Sequence, residues 1–449
     1  MGVQENPFRQ VSQPNTTNPF QMSNKQSSPK LIRAVSRWQV VGLSINDVIG
    51  SGVYLLPAAA ALLLGPASIW AFLLAGIAVA LLVLCFAEAA SYFDEPGGAY
   101  LYTREAFGDF VGFEVGWMTW LARVTSVASL SVGFALAFGY LWPGATEGWG
   151  RAIVITSSLG FLTWVNVIGV KQGAKMAVFL TIAKTIPLVV FIGFGVFFIN
   201  WELVAMEIPA TSFESLSEAV LLLLFAYCGF ESTPGAAGEF KDPKRDVPFA
   251  LLTMVILVTV IYTLVQLVAV GTLPGLAQSA SPLAESAAQF AGPAMAVLLS
   301  IGAMVSIFGN VGNSTLVGPR YLFALAQDGF GHKILARIHP RFHTPAIAII
   351  VQSGLALLLA LSGSFVELAM LSIIARLVTY VGTVAAIPIL RKRFGNKKDA
   401  IRLPGGNAIP FVALALCLLF LVSATVANLI AGTIALLVGW LIYAFRSKS

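Results

Sequence analysis

Charged residues are scarce in this chain of 449 residues: Asp, Glu, Lys and Arg together make up 11%, whereas hydrophobic residues make up 57%. The mean hydropathy is +0.84. These values exclude a soluble domain with a polar shell and predict a polytopic protein of the lipid bilayer. The net charge of +6 then indicates loop orientation rather than nucleic-acid binding, because basic residues follow many of the apolar segments.

Cysteine and histidine are also rare. Cys85, Cys228 and Cys417 lie in apolar segments without metal-type spacing, which predicts buried thiols and neither a disulfide framework nor a metal site. The sequence has no Walker-type phosphate loop, His/Cys/carboxylate cluster or nucleophile elbow. We therefore expect no cofactor, no ATP-driven transport and no enzymatic activity. A channel is disfavoured as well, because no repeated pore-lining motif occurs.

Long apolar stretches fill most of the chain, each near the length of about 20 residues that crosses a bilayer. They predict an all-α membrane protein with twelve transmembrane helices, placed at residues 38–64, 67–92, 110–142, 151–170, 174–200, 216–238, 249–272, 292–325, 343–362, 366–390, 408–425 and 427–445. The residues before them, 1–36, are rich in Gln, Asn, Ser and Pro and predict a disordered tail.

Basic residues predict the orientation of these spans. With these twelve spans, all but four of the 27 Lys and Arg residues fall in the two termini and in the loops on the same side of the membrane as the termini. The exceptions are Arg151 on the other side and Arg123, Lys184 and Arg376 within spans. By the positive-inside rule both termini are cytoplasmic, and the membrane is the inner (plasma) membrane.

Two predicted spans are interrupted by helix-breaking residues. Gly50, Ser51 and Gly52 lie near the middle of span one, and "FAYCGFESTPG" in span six contains Gly229 and Pro234. Irregular backbone inside a bilayer is tolerated only where it faces protein or a watery cavity, so both breaks indicate a ligand site. Interrupted helices that begin two five-span halves, here about 37–200 and 216–391, are typical of inverted-repeat transporters. Residues 37–391 would form this core, and 408–445 would add two C-terminal helices.

The two breaks suit a substrate that carries both charges, such as an α-amino acid. Half-helix N-termini attract anions, and unwound carbonyls attract cations. We expect the substrate carboxylate at the backbone amides around Ser51 and Gly52. The ammonium is expected at the carbonyls near Phe225, Ala226 and Cys228.

Four motifs then resemble the amino acid–polyamine–organocation (APC) superfamily of transporters. In chain order they are "IGSGVYLLP", "PGGAYLYTREAFG", "FAYCGFES" with the following "GEFKDPKRDVP", and "GPRYLFALAQDGF". The resemblance covers roughly residues 36–445. It implies twelve spans, a five-plus-five inverted repeat and alternating access. The substrate-binding residues implied by the breaks and the resemblance are Ile49, Gly50, Ser51, Gly52, Phe225, Ala226, Tyr227, Cys228 and Glu231, with Phe225 as an aromatic gate and Glu231 in gating or coupling.

Ionisable residues inside spans are costly and therefore candidates for function. Lys184 in span five matches a lysine of a proton-coupled subgroup of the family, which implies that it couples proton movement to transport; a permanent brace to span one is the alternative. Asp47 departs from the family pattern and either pairs with Arg123 or faces the substrate ammonium. Arg376 is predicted to pair with Glu367 or to reach a pocket carbonyl.

The sequence thus predicts a secondary transporter that takes up L-amino acids, favouring neutral ones, by proton symport. Its partners would be the amino acid, protons and the lipid bilayer. Amino acid exchange and transport of cationic amino acids or polyamines stay open as alternatives, the latter because of Asp47. Side-chain selectivity and oligomeric state are left open by the sequence.

Overall fold

The computed structural model describes residues 35–93, 97–169, 174–205, 212–395 and 400–446. The tail predicted to be disordered, 1–36, lies outside the described residues except for its last two positions. In the described chain, extended pairing is limited to an isolated parallel bridge between Val35 and Phe240. The protein is therefore all-helical over the part that is described.

The α-helices, in chain order, are α1 Arg37–Val48, α2 Gly52–Leu64, α3 Ser68–Ser91, α4 Gly98–Phe107, α5 Asp109–Gly139, α6 Gly148–Ile168, α7 Ala174–Gly195, α8 Trp201–Val204, α9 Phe213–Tyr227, α10 Pro243–Thr272, α11 Pro282–Gln327, α12 Ala346–Ser362, α13 Phe365–Phe394, α14 Ala408–Val422 and α15 Val426–Ala444. Short 3₁₀ segments lie at Gly65–Ala67, Pro143–Ala145, Val196–Phe198, Phe230–Glu239, Leu276–Gln278 and Lys333–Ala336. Helix α11 contains a kink at Gly292, whose φ is 75°.

Each predicted apolar stretch overlaps at least one of these helices. Within the described ranges, nine helical segments are long and apolar enough to cross a membrane, and two further apolar helices, Ala346–Ser362 and Ala408–Val422, are shorter. The first predicted span is divided into α1 and α2, and α2 continues through a 3₁₀ turn into α3. Twelve crossings accordingly stay a prediction, while a multi-pass helical membrane protein is established.

Helix α5 lies at the centre of the bundle and packs most extensively against α11 and α13, while α3 packs against α10. Polar contacts join the central helices: Ser126 of α5 bonds Ser372 of α13 at 2.7 Å, and Thr119 bonds Thr379 at 3.0 Å. Helix α15 is different, since only 6% of its most apolar window is buried. An apolar helix with so little protein cover has the surface expected of a lipid-facing element.

A cavity between two interrupted helices

The first interruption lies between α1 and α2. Helix α1 ends at Val48, and Ile49 takes an extended conformation with ψ 106° before α2 begins at Gly52. The carbonyl groups released by this break are satisfied by side chains of other helices. Tyr262 donates to the Val48 carbonyl at 3.3 Å, and Ser306 donates to the Ile49 carbonyl at 3.2 Å. Such replacement partners are what irregular backbone in an apolar bundle requires.

Lys184 of α7 is the principal partner of this break. Its Nζ donates to the carbonyl oxygens of Asn46 at 2.6 Å and Ile49 at 2.7 Å, and to Asn310 Oδ1 of α11 at 2.9 Å. The side chain is 2% exposed. An ammonium group has three N–H donors, and here three acceptors surround it. Lys184 therefore connects the end of α1 to α11.

The second interruption follows α9. This helix ends at Tyr227, Gly229 has φ 126°, and a 3₁₀ segment begins at Phe230. The two interruptions contact each other through glycines. A Cβ on Gly52 would lie 2.5 Å from the Cα of Ala226, and a Cβ on Gly229 would overlap the carbonyl of Asp47. Only glycine permits this close approach of the two backbones.

Glu231, in the 3₁₀ segment, lies between two arginines from different helices. Its Oε1 accepts from Arg376 Nη1 of α13 at 2.6 Å and from Arg123 Nη2 of α5 at 3.3 Å. Its Oε2 accepts from the Gly229 N–H at 3.0 Å and from the Tyr380 hydroxyl at 3.5 Å. All three charged side chains are at most 5% exposed. The unwound segment thus joins α5 to α13 through a buried Arg–Glu–Arg cluster.

This cluster corrects two predicted pairings. Asp47 does not pair with Arg123, because Arg123 contacts Glu231 and Ser232; Asp47 instead accepts from Asn313 Nδ2 of α11 at 2.7 Å. Arg376 does not pair with Glu367. That glutamate caps the first turn of α13 together with Ser364, and nine residues of helix, about 13 Å, separate it from Arg376.

A small cavity, about 30 Å³ in volume, lies between the two interruptions. Its wall is formed by Asp47, Val48, Gly50, Ser51, Gly52, Arg123, Ser126, Leu130, Phe225, Cys228, Gly229, Asn310, Ser314 and Arg376.

Three residues of this wall have a buried polar atom without a partner. Ser51 Oγ, Arg123 Nε and Arg376 Nε are buried and have no hydrogen-bond partner among the described residues. Ser51 also precedes the first turn of α2, whose N-terminal N–H groups have no acceptor within the helix. The cavity therefore presents donors and one carboxylate, that of Asp47. In the described part of the chain, no group of three or more His, Cys, Asp and Glu is arranged to hold a metal ion.

Several predicted site residues line the cavity directly: Asp47, Gly50, Ser51, Gly52, Arg123, Phe225 and Cys228. Ile49, Lys184 and Glu231 lie behind this wall, where they fix the two breaks. Ala226 and Tyr227 are not among the residues that line this cavity. Ala226 packs against Gly52 and its carbonyl accepts from Tyr262 at 3.1 Å, whereas the Tyr227 hydroxyl donates to the Phe72 carbonyl at 2.9 Å, in the scaffold.

Sequence reasoning missed the contribution of α11. Asn310 accepts a hydrogen bond from Lys184, and Asn313 donates one to Asp47. Ser314 lines one side of the cavity. The signal was present in "FGNVGNS", where two asparagines three residues apart interrupt an apolar span. Polar side chains at that spacing share one face of a helix, and inside a membrane they point to a functional surface.

A polar cavity enclosed by interrupted helices within an apolar bundle defines a membrane transporter for a small molecule. The amino acid permease family model matches residues 35–444, and the chain belongs to that family. The identification of an APC-type transporter from the sequence is thereby confirmed, and the relatives are transporters rather than enzymes.

Three relatives match over nearly their whole lengths. The serine/threonine exchanger SteT of Bacillus subtilis (strain 168) is 32% identical, over 88% of this chain and 92% of its own. The methylthioribose transporter of the same organism is 26% identical, over 95% and 96%. The branched-chain amino acid permease BcaP of Bacillus subtilis (strain 168) is 26% identical, over 93% of this chain and 94% of its own length. The substrates in their names differ, so membership of the amino acid permease family does not identify the substrate of this chain.

Proposed function

We propose that this protein is a secondary active transporter that takes up L-α-amino acids together with a proton by alternating access. It resides in the inner membrane with both termini in the cytoplasm. Twelve helices cross the bilayer, and the first ten form two inverted repeats that begin with the interrupted helices. The single observation that carries the proposal is the cavity between the two breaks, with the unpartnered Ser51 Oγ at the start of α2.

The substrate carboxylate binds at the N-terminus of α2. The amides of Ser51 and Gly52 and the Ser51 hydroxyl supply donors there, and the helix dipole favours an anion. For the ammonium, Asp47 is a better partner than the carbonyls after α9. The Ala226 carbonyl is occupied by Tyr262, whereas Asp47 lines the cavity and accepts one hydrogen bond, from Asn313. Phe225, whose ring packs edge-on against Phe365 with centroids 5.9 Å apart, covers the site as its gate.

Lys184 couples the proton to the conformational change. Its ammonium serves three acceptors that belong to α1, the break and α11. A neutral amine has only two N–H donors, so on proton loss one acceptor loses its partner and the connection between α1 and α11 weakens. Asp47 follows directly after Asn46, whose carbonyl accepts from Lys184. Binding of substrate at Asp47 therefore changes the stability of the protonated lysine.

Uptake of radiolabelled amino acids into proteoliposomes, with and without an imposed pH gradient, tests this proposal. Wild-type uptake is expected to increase when the outside is acidic, whereas Lys184→Ala protein is expected to lose that response. Lys333→Ala, at an exposed position after α11, is the matched control and should behave as wild type. A full pH response in Lys184→Ala would contradict the coupling role. Uptake that requires amino acid inside the vesicles would instead favour exchange, the activity in the name of SteT.

A further inference from the structure

The Arg–Glu–Arg cluster carries more positive than negative charge. Arg123 and Arg376 share one carboxylate, that of Glu231, which leaves one positive charge uncompensated within the cluster. Glu231 has no lone pair left for a further donor, because its two oxygens already accept from both arginines, from Gly229 and from Tyr380. A second anion is therefore needed to compensate the remaining guanidinium.

The two arginines also have donors that the protein does not use. Arg123 and Arg376 are 3% and 4% exposed and both line the cavity, yet the Nε of each has no acceptor among the described residues. A buried, charged N–H group without an acceptor is costly, and more so in a membrane. A guanidinium prefers carboxylate as its partner because two of its N–H groups can reach the two oxygens.

The other charged groups of the site do not remove this excess. Asp47 contributes one negative charge and Lys184 one positive charge, so the site holds three cations and two anions when both are ionised. With Asp47 protonated the excess would be larger. The site therefore has a net positive charge whenever Lys184 carries its proton.

We propose that the substrate is an α-amino acid with an acidic side chain, such as aspartate or glutamate, whose side-chain carboxylate binds between Arg123 and Arg376. This rests on the proposed function and replaces the neutral side chain predicted from the sequence. The head group binds at Ser51, Gly52 and Asp47, and the second carboxylate supplies the acceptor that the two Nε groups lack.

The charge balance then agrees with proton coupling. A substrate with net charge −1 bound beside protonated Lys184 brings the site to zero. After both the substrate and the proton are released, with Asp47 ionised, the net charge of the site is again zero. Both states that must change conformation are thus neutral in the apolar interior, where an unpaired charge is costly. Cotransport of one proton with one acidic amino acid moves no net charge across the membrane.

Two measurements in proteoliposomes test the proposal with matched substrates. First, aspartate and glutamate are expected to be taken up with a KM at least about tenfold lower than asparagine and glutamine, since a charged hydrogen bond contributes about 1.5–3 kcal/mol. Second, glutamate uptake under a fixed pH gradient is expected not to respond to an inside-negative membrane potential, whereas cotransport of a neutral amino acid with a proton would be stimulated by it.

Arginine variants separate charge recognition from folding. Arg123→Gln should remove the preference for glutamate over glutamine, while Arg123→Lys should retain part of it. Arg151→Gln is the control, because Arg151 donates to the backbone carbonyls of Ala360 and Gly363, outside the cavity. Elution of each variant as a single peak from gel filtration verifies folding. Saturable uptake of glutamine with no preference for glutamate would overturn this inference and leave the proposed function intact; absence of uptake of any amino acid by wild type would overturn both.

Discussion

At the residue scale, Ser51 differs from buried serines such as Ser44 and Ser131. Ser44 and Ser131 donate to the carbonyl four residues earlier in their helices, at 2.9 and 2.7 Å. Ser51 is 1% exposed, yet its hydroxyl has no partner among the described residues. A buried hydroxyl without a partner lowers stability. Its location at the start of α2, in the cavity wall, is explained if the partner is the transported substrate.

Replacement of Ser51 by alanine is therefore expected to separate binding from stability. Ser51→Ala should leave the melting temperature unchanged or slightly higher, because no internal hydrogen bond is lost. The KM for uptake should increase about tenfold, the effect of one hydrogen bond to a charged group. Uptake kinetics and thermal unfolding in detergent measure the two quantities.

Ser131→Ala is the control for this prediction, since Ser131 is equally buried on α5 but lies outside the cavity wall. The KM of Ser131→Ala should equal that of wild type. An equal rise of KM in both variants, or a lower melting temperature only in Ser51→Ala, would show that Ser51 has a structural role instead.

The sequence predicted the residues of the first break well, because glycine and serine in an apolar run have a direct physical meaning for the backbone. It did not predict the partners of Glu231. Arg123 and Arg376 are 108 and 145 positions away from it in the chain. No pattern in the sequence indicates which way the unwound segment turns, so the sequence does not show which side chains Glu231 meets. Pairing of Asp47 with Arg123 is one of two alternatives that the sequence offers, because uncompensated buried charges are rarer than paired ones. Glu231 is the carboxylate in contact with that arginine.

At the element scale, the interrupted helices are held in contact by two glycines. Gly52 allows α2 to lie against the end of α9, and Gly229 allows the second break to lie against the carbonyl of Asp47. Lys184 then ties the α1 side of this unit to α11, and Glu231 ties the α9 side to α5 and α13. A change in either break is therefore transmitted to the helices that surround the cavity.

Alanine at these glycines is expected to abolish transport. Gly52→Ala introduces a methyl group 2.5 Å from the Ala226 Cα, and Gly229→Ala also forces a left-handed φ on a residue with a side chain. Overpacking of this kind costs typically about 1–3 kcal/mol. We expect uptake below a tenth of wild type and a lower melting temperature for both variants.

Gly354→Ala on α12 is the matched control, because a Cβ there would meet nothing within 4 Å. Helix propensity favours alanine over glycine by about 1 kcal/mol, so this variant should be as stable as wild type or more so, with unchanged uptake. Wild-type transport by Gly52→Ala would show that the two breaks do not need to touch.

Element boundaries show a limit of hydropathy. Helix α10 begins at Pro243, whereas the apolar stretch begins at residue 249, because its first turn is polar and lies beyond the apolar region. In the same way α11 extends through Gln327 and merges with a preceding segment across the kink at Gly292. Hydropathy measures the length needed in hydrocarbon, and it contains no information on how far a helix continues outside it.

At the scale of the whole molecule, an ion pair with a buried carboxylate attaches the start of α14 to the core. Arg391 of α13 donates to Glu88 of α3 through Nε at 2.6 Å and Nη2 at 2.7 Å. Its Nη1 reaches the Gly406 carbonyl at 2.5 Å and Asn407 at 2.8 Å, at the start of α14. Glu88 is fully buried. A bidentate pair of this kind fixes orientation as well as distance, so the end of α13, the start of α14 and α3 form one unit on the side that carries most basic residues.

The distribution of basic residues predicts that this unit faces the cytoplasm, and single cysteines can test it. The native cysteines Cys85, Cys228 and Cys417 are buried, so they contribute little background.

Glu147, before α6, and Lys333, after α11, are exposed and lie on opposite sides of the predicted topology. In sealed right-side-out vesicles, a membrane-impermeant maleimide should label Glu147→Cys at once and Lys333→Cys only after the membrane is permeabilised. Labelling in the opposite order would invert the orientation. The predicted topology places an odd number of crossings between the two sites. Labelling of both positions in sealed vesicles would mean that the chain crosses the membrane an even number of times between them, and would contradict that topology.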